Sequence, residues 1–205
     1  EEKDPYKATP EKETRSGVIS ITGLMGPVNL TDNLYSTKNP SLRIGFHWNI
    51  NPYVSIGLGG GVIKYNGPDS FLIEVEGYYL SPEFLAMLEP GYYFGPSKFE
   101  ESWYSAQLTL KLFDGSFSPY IFGGAKLLSI DYEQEMFFHY LGQPELGETV
   151  WQVTLNNICL YSGGGIDIPL MDYMDILLEC EYDAVINSDI VPNKILFSAG
   201  FRFTI

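Results

Sequence analysis

The sequence predicts an all-β chain: an eight-stranded antiparallel up-and-down transmembrane β-barrel. Three observations carry the prediction. Apolar residues recur at every second position in run after run, the connections between runs alternate short and long, and the polar faces of the runs are built of small residues with a few charges. Residues 41–50, SLRIGFHWNI, show the first. Leu42, Ile44, Phe46, Trp48 and Ile50 fall on one face of a strand, and Arg43, Gly45, His47 and Asn49 on the other.

The elements follow in order. Residues 1–16 are polar and read as a disordered periplasmic tail, with no apolar run of the kind a signal peptide carries. Strands are expected at about 17–28, 41–50, 53–65, 103–113, 118–132, 151–168, 174–185 and 194–205, and the barrel occupies 17–205. Ser81 and Pro82 open the single helical signal, SPEFLAMLEPG at 81–91. The second, fourth and sixth strands end in tight turns, at Asn51-Pro52, Asp114 to Phe117 and Pro169 to Tyr173. The other connections, at about 29–40, 66–102, 133–150 and 186–193, are long. Transmembrane barrels have this asymmetry, with short periplasmic turns and long extracellular loops.

Composition excludes several functions. The net charge is −14, so no basic surface is available for nucleic acid. No run of about 18 apolar residues offers a transmembrane helix. There is no G-x-S-x-G, Walker loop or metal-spaced Cys/His cluster among the two histidines, His47 and His139, and two cysteines. No enzyme activity, cofactor or metal site is expected. By alternation Cys159 shares a face with polar residues and Cys180 with apolar ones, which argues against a disulfide. GLGGG at 57–61 lies inside an alternating run and opens no helix, so it reads as small residues in a tight barrel.

Which face points outward decides the rest. Ser55, Gly57, Gly59 and Gly61 oppose Val54, Ile56, Leu58 and Val62 in the third strand, and small residues suit the narrow interior of eight strands. The charges on the polar faces can pair across a lumen: Arg43, His47, Lys111, Lys126 and Arg202 with Asp167, Asp175, Glu179 and Glu181. Lys126 shares the parity of Tyr120, Phe122 and Leu128; it is expected inside, or beside a bulge, because a mid-bilayer lysine costs about 2–4 kcal/mol. Aromatic residues gather near both strand ends and suggest two interfacial girdles: Trp48, Tyr53, Phe113, Tyr120 and Tyr173 by the tight turns, and Tyr65, Trp103, Tyr104, Tyr132 and Trp151 by the long loops.

SLRIGFHWNINPYVSIGLGGGVIKY, SPYIFGGAKLLSIDY, SGGGIDIPLMDYMDILLECEYDA and ILFSAGFRFTI together resemble the eight-stranded outer-membrane barrels of diderm bacteria, the OmpA-like and OmpW/OprG-like proteins. The last strand is similar to the signal read by the barrel-assembly machinery, with Phe201 and Phe203 alternating and Ile205 where that signal usually has an aromatic residue. The resemblance implies a bacterial outer-membrane location with extracellular loops and periplasmic termini, and contact with outer-membrane lipid.

Two functions are expected. One is passive transport of small hydrophobic molecules, entering past the oily loop 66–102 with an exit sideways into the bilayer; it rests on the OmpW/OprG resemblance and on that loop. That loop carries a candidate apolar entrance of Tyr78, Tyr79, Phe84, Tyr92, Tyr93 and Phe94 among seven acids. The other is a surface-exposed structural or interaction protein, adhesin-like or envelope-stabilising, with a barrel plugged by its own ion pairs. The four long connections hold thirteen acids against Lys38 and Lys98, which gives the outward end a field that repels anions. A soluble carrier of the lipocalin kind would need the oily faces inside and a G-x-W near the N-terminus, which is absent.

Overall fold

A computed structural model gives the structure of the chain. It describes residues 17–33, 35–67, 92–113, 117–140, 143–186, 188 and 191–205, with side chains for all but 92–96, 134–140 and 143–151. The strands are β1 (Ile19–Gly26), β2 (Val28–Leu30), β3 (Ser41–Asn49), β4 (Val54–Asn66), β5 (Tyr92–Lys111), β6 (Ser118–Tyr140), β7 (Gln143–Met171), β8 (Met174–Val185) and β9 (Lys194–Thr204). Pro27 lacks an N–H and divides β1 from β2, yet both pair with β9 in one register, so the nine segments make eight staves. Every pairing is antiparallel and the β1–β9 pairing closes the sheet. The expected eight-stranded barrel is therefore present. The helix expected at 81–91 and the tail 1–16 lie outside the described residues.

Register fixes the shape. The ladder Ile19, Trp48, Ile56, Leu108, Gly123, Ser162, Tyr182, Ile195 runs round the barrel and meets the first stave again at Asn29, so the stagger, 29 minus 19, is ten residues. For eight strands, with a rise of about 3.3 Å and a strand spacing of about 4.7 Å, that stagger means a tilt of about 41° and a backbone radius of about 8 Å. Side chains from opposite walls meet across such a bore.

The outer surface is apolar over one band. Tyr104, Leu108 and Leu110 of β5 and Leu112 just after it are exposed, as are Ile44, Phe46 and Trp48 of β3 and Phe197, Phe201 and Phe203 of β9. Tyr104 and Leu112 stand about 20 Å apart along the barrel axis before their side chains are counted, close to the apolar band of about 25 Å that such barrels present to lipid. Above it, Lys64, Glu100, Asp131 and Thr154 form one cross-strand row, with Lys64 Nζ 2.6 Å from Glu100 Oε2 and Thr154 Oγ1 donating to Asp131 at 2.7 Å.

Three strands are longer than the sequence suggests. β5 begins at Tyr92, β6 continues to Tyr140 and β7 begins at Gln143, so parts of the expected loops 66–102 and 133–150 are strand. At 97–103 the inward face is Ser97, Phe99, Glu101 and Trp103 and the outward face is Lys98, Glu100 and Ser102. Both faces carry polar residues there, which hides the period-two pattern from a hydropathy reading.

Candidate functional site: a filled lumen

Alternation carries each inward side chain to its place, and the staggered register decides which of them meet. Arg43 on β3 donates from Nη2 to Glu179 at 2.7 Å and from Nη1 to Glu181 at 2.6 Å, both on β8. Lys126 on β6 stands inside with Tyr120, Phe122 and Leu128, and no bulge lies beside it in either ladder. Its Nζ donates to Asp183 at 2.7 Å and to Glu181, and lies 4.9 Å from the centre of the Trp103 ring and 4.8 Å from that of Tyr161. The flat rings solvate the ammonium from two sides while the carboxylates neutralise it.

A second group sits toward the tight turns. Asp167 on β7 accepts from Arg202 Nη1 at 2.5 Å and lies 3.0 Å from Lys111 Nζ. Asp175 is buried beside Arg202, its partner in the β8–β9 register. His47 is buried, with Nε2 3.3 Å from Thr22 Oγ1. Tyr120 links the two groups: its hydroxyl donates to Glu179 at 2.7 Å and its ring lies under the Arg202 guanidinium, 5.7 Å away. Leu24, Phe122, Tyr161 and Leu177 fill the remaining width.

The structure thus places all nine sequence-predicted lumen residues inside the barrel, and adds three charges. Asp183 has the parity of Glu179 and Glu181 and was legible as an inward acid. Glu101 fell in a segment expected to be loop, and Lys194 opens the last strand. These two form a fully buried ion pair, with the Tyr65 hydroxyl donating to the same Glu101 oxygen.

That pair sits in an apolar cluster at the long-loop end: Leu30, Tyr35, Ile63, Tyr65, Phe99, Trp103, Leu128, Ile130, Tyr132 and Val191. Tyr65 and Phe99 stack with ring centres 5.0 Å apart and planes 5° from parallel, and Tyr35 meets both edge-on. Burial, with the Asp32 charge adding to it, pushes the Tyr35 phenol up to about 12.

The cluster corrects the expected outer girdle. Tyr65, Trp103 and Tyr132 point inward as a cap, while Tyr104 faces out; Trp151 lies outside the described side chains. At the other end Trp48, Tyr53, Phe113 and Tyr173 face out as expected and Tyr120 points in. The reason is parity: Trp103 and Tyr65 share the inward face of Gly57, Gly59 and Gly61, and Gly61 leaves room for the Trp103 ring of the neighbouring strand.

Filling leaves little space. The cavity among Arg43, His47, Gln107, Lys126 and Glu181 measures about 40 Å³, and one beside Lys111, Tyr120 and Arg202 about 30 Å³. Each has room for a water or two. Both cysteines are free, Cys159 buried and Cys180 on the outer face. Of the candidate apolar entrance, Tyr78, Tyr79 and Phe84 lie outside the described residues; Tyr92, Tyr93 and Phe94 lie on β5, outside the described side chains.

No family model and no curated protein matches the sequence. Solved structures do match the fold. A major outer membrane protein from Thermus thermophilus superposes with a TM-score of 0.57 at 11% identity, over 92% of this chain and 98% of that one. The N-terminal β-barrel domain of Pseudomonas aeruginosa OprF gives 0.52 at 8% identity, over 93% and 98%. The outer membrane protein OprG from Pseudomonas aeruginosa gives 0.50 at 12% identity, over 93% and 96%. With its closed ladder, lipid-width apolar band and charge-filled bore, the chain has the fold of the eight-stranded outer-membrane β-barrels.

Proposed function

We propose that the chain is a bacterial outer-membrane protein, long strands outward and tight turns toward the periplasm, that works through the surface it presents above the membrane. The observation that carries this reading is the filling of the lumen. Inside the barrel at the level of the lipid band, opposed charges and aromatic rings crowd the bore, and the cavities beside Arg43 and Lys126 and beside Lys111 and Arg202 measure about 40 and 30 Å³. Above them the buried cluster around Phe99 and Ile130 replaces a polar mouth with a dry one. Passive transport through the bore would require breaking the Lys126 and Arg43 pairs and displacing that cluster at once. An anchored scaffold needs neither.

The test is electrical. Refolded protein in planar bilayers is expected to give no steady conductance, and liposomes carrying it are expected to swell in small solutes no faster than empty ones. A stable, reproducible open channel would overturn the plugged reading in favour of transport.

A further inference from the structure

Closure of the barrel stops where the lipid band stops. β7 pairs with β8 from Met171 up to Cys159, and the ladder ends one bond higher, where Ile158 C=O accepts from Ile186 N–H at 2.9 Å. On its other side β7 stays paired with β6 up to Gln143. From Gln152 to Asn157, therefore, one flank of β7 has no strand beside it among the described residues. Because Ile158 turns its carbonyl to the β8 side, the groups aimed at the open flank belong to the same parity: Gln152, Thr154 and Asn156, whose side chains are exposed. A raw edge of this kind is impossible within hydrocarbon and here begins just above it.

The edge lacks the devices that spoil edges for pairing. From Thr149 to Ile158, TVWQVTLNNI, there is no proline, no glycine and no charge, and β-branched residues recur. The corresponding free edge of β5 is blunted: Gly95 and Pro96 follow Phe94, and the β5–β6 register shifts between Phe94 and Ser97. The β5 edge is interrupted close to where its pairing with β4 ends, whereas the β7 edge stays uninterrupted over 149–158 and meets Pro144 and Gly147 only above that stretch.

We propose that the β7 edge at 149–158 is a strand-addition site, which takes an extended, cationic segment of another polypeptide hydrogen-bonded antiparallel to β7. The inference rests on the reading of the chain as a surface-interaction barrel and names the site and the chemistry of the partner. A cation fits because Asp131 and Glu133 lie on the neighbouring strand, Glu145 and Glu148 lie higher on β7, and the chain carries −14 overall. A second copy of the chain does not fit. Two barrels in one membrane are related by an axis along the membrane normal, so both β7 strands run downward with opposite tilts and cannot lie antiparallel.

The experiment is hydrogen exchange on the protein refolded in nanodiscs, with and without a lysine-flanked peptide of alternating valine and threonine. In the free protein the amides of Gln152, Thr154 and Asn156 are expected to exchange fast, while those of Val153 and Leu155, bonded to β6, are slow. The peptide is expected to slow the first three by about tenfold or more, and a glutamate-flanked or proline-interrupted peptide is expected to have no effect. Thr154→Pro removes an edge N–H and the Thr154–Asp131 hydrogen bond but no ladder bond to β6, so the barrel is expected to fold and peptide binding to vanish; Asn156→Pro, which removes an edge N–H without touching Asp131, serves if that variant fails to fold. Protection of the three amides without peptide would mean that the chain covers its own edge and would overturn the proposal. So would absence of peptide binding, or equal binding by the proline variants. None of these outcomes bears on the plugged lumen, which stands or falls with the conductance measurement.

Discussion

Lys126 Nζ lies 2.7 Å from Asp183 Oδ2 in the middle of the bore, both side chains almost wholly buried. Lys126 also serves Glu181, so the lysine neutralises two acids that share one wall. Removing it would leave two carboxylates in a site of low polarity, with Arg43 paired to Glu181 and Lys194, the register partner of Asp183, engaged by Glu101. Lys126→Met is expected to destabilise the barrel by about 3–5 kcal/mol, read as a lower urea midpoint for loss of the heat-modifiable gel band. Adding Asp183→Leu is expected to recover part of the loss, because the uncompensated charge is then gone. A double variant weaker than the single one would refute the account.

Glycine matters where a ring of the neighbouring strand lies over the backbone. A Cβ on Gly61 would lie 2.4 Å from Trp103 Cζ2 and 2.5 Å from the Leu42 carbonyl oxygen, whereas a Cβ on Gly23 would have nothing within 4 Å. Gly61→Ala is therefore expected to cost about 1–3 kcal/mol and Gly23→Ala close to nothing, in paired urea titrations. Equal effects would mean that the Trp103 ring does not lie over Gly61 on the neighbouring strand.

The outward band has a sharp charge limit. Leu58 is 68% exposed within it, and Gln152 is exposed above the row of Lys64, Glu100, Asp131 and Thr154. Leu58→Lys is expected to cost about 2–4 kcal/mol of folding free energy in bilayers, and Gln152→Lys less than about 1 kcal/mol. Folding into liposomes with both variants, followed by denaturant titration, measures the difference. A tolerated Leu58→Lys would place lipid elsewhere.

The apolar-entrance idea remains directly testable. Alanine at Tyr92, Tyr93 and Phe94 is expected to leave uptake of small hydrophobic solutes by liposomes at the background of empty vesicles, as for the unaltered protein. Uptake by the unaltered protein that these substitutions abolish would revive transport.

Much of this was legible in the sequence, and the reason is that alternation is local. A window of ten residues suffices to say that Leu42, Ile44 and Phe46 share one face and Arg43 and His47 the other, and the structure has them so. Parity put Lys126 on one face with Tyr120 and Phe122, and the cost of a lysine in lipid put it inside or beside a bulge; it is inside. The reading failed at Trp103, Tyr65 and Tyr132, where position near a strand end was given more weight than face. It failed also at Glu101, in a stretch polar on both faces.

What the sequence by itself determined is the number of staves, their faces and the end that carries the tight turns, because period two and turn residues are written within short segments. What only the tertiary structure decided is the stagger of ten residues and everything that depends on it: the backbone radius of about 8 Å, the meeting of Glu101 with Lys194, 93 positions apart, and the length of β7 left without β8. Those depend on how each strand registers against the next all the way round a closed ring, and no local window contains that sum of offsets.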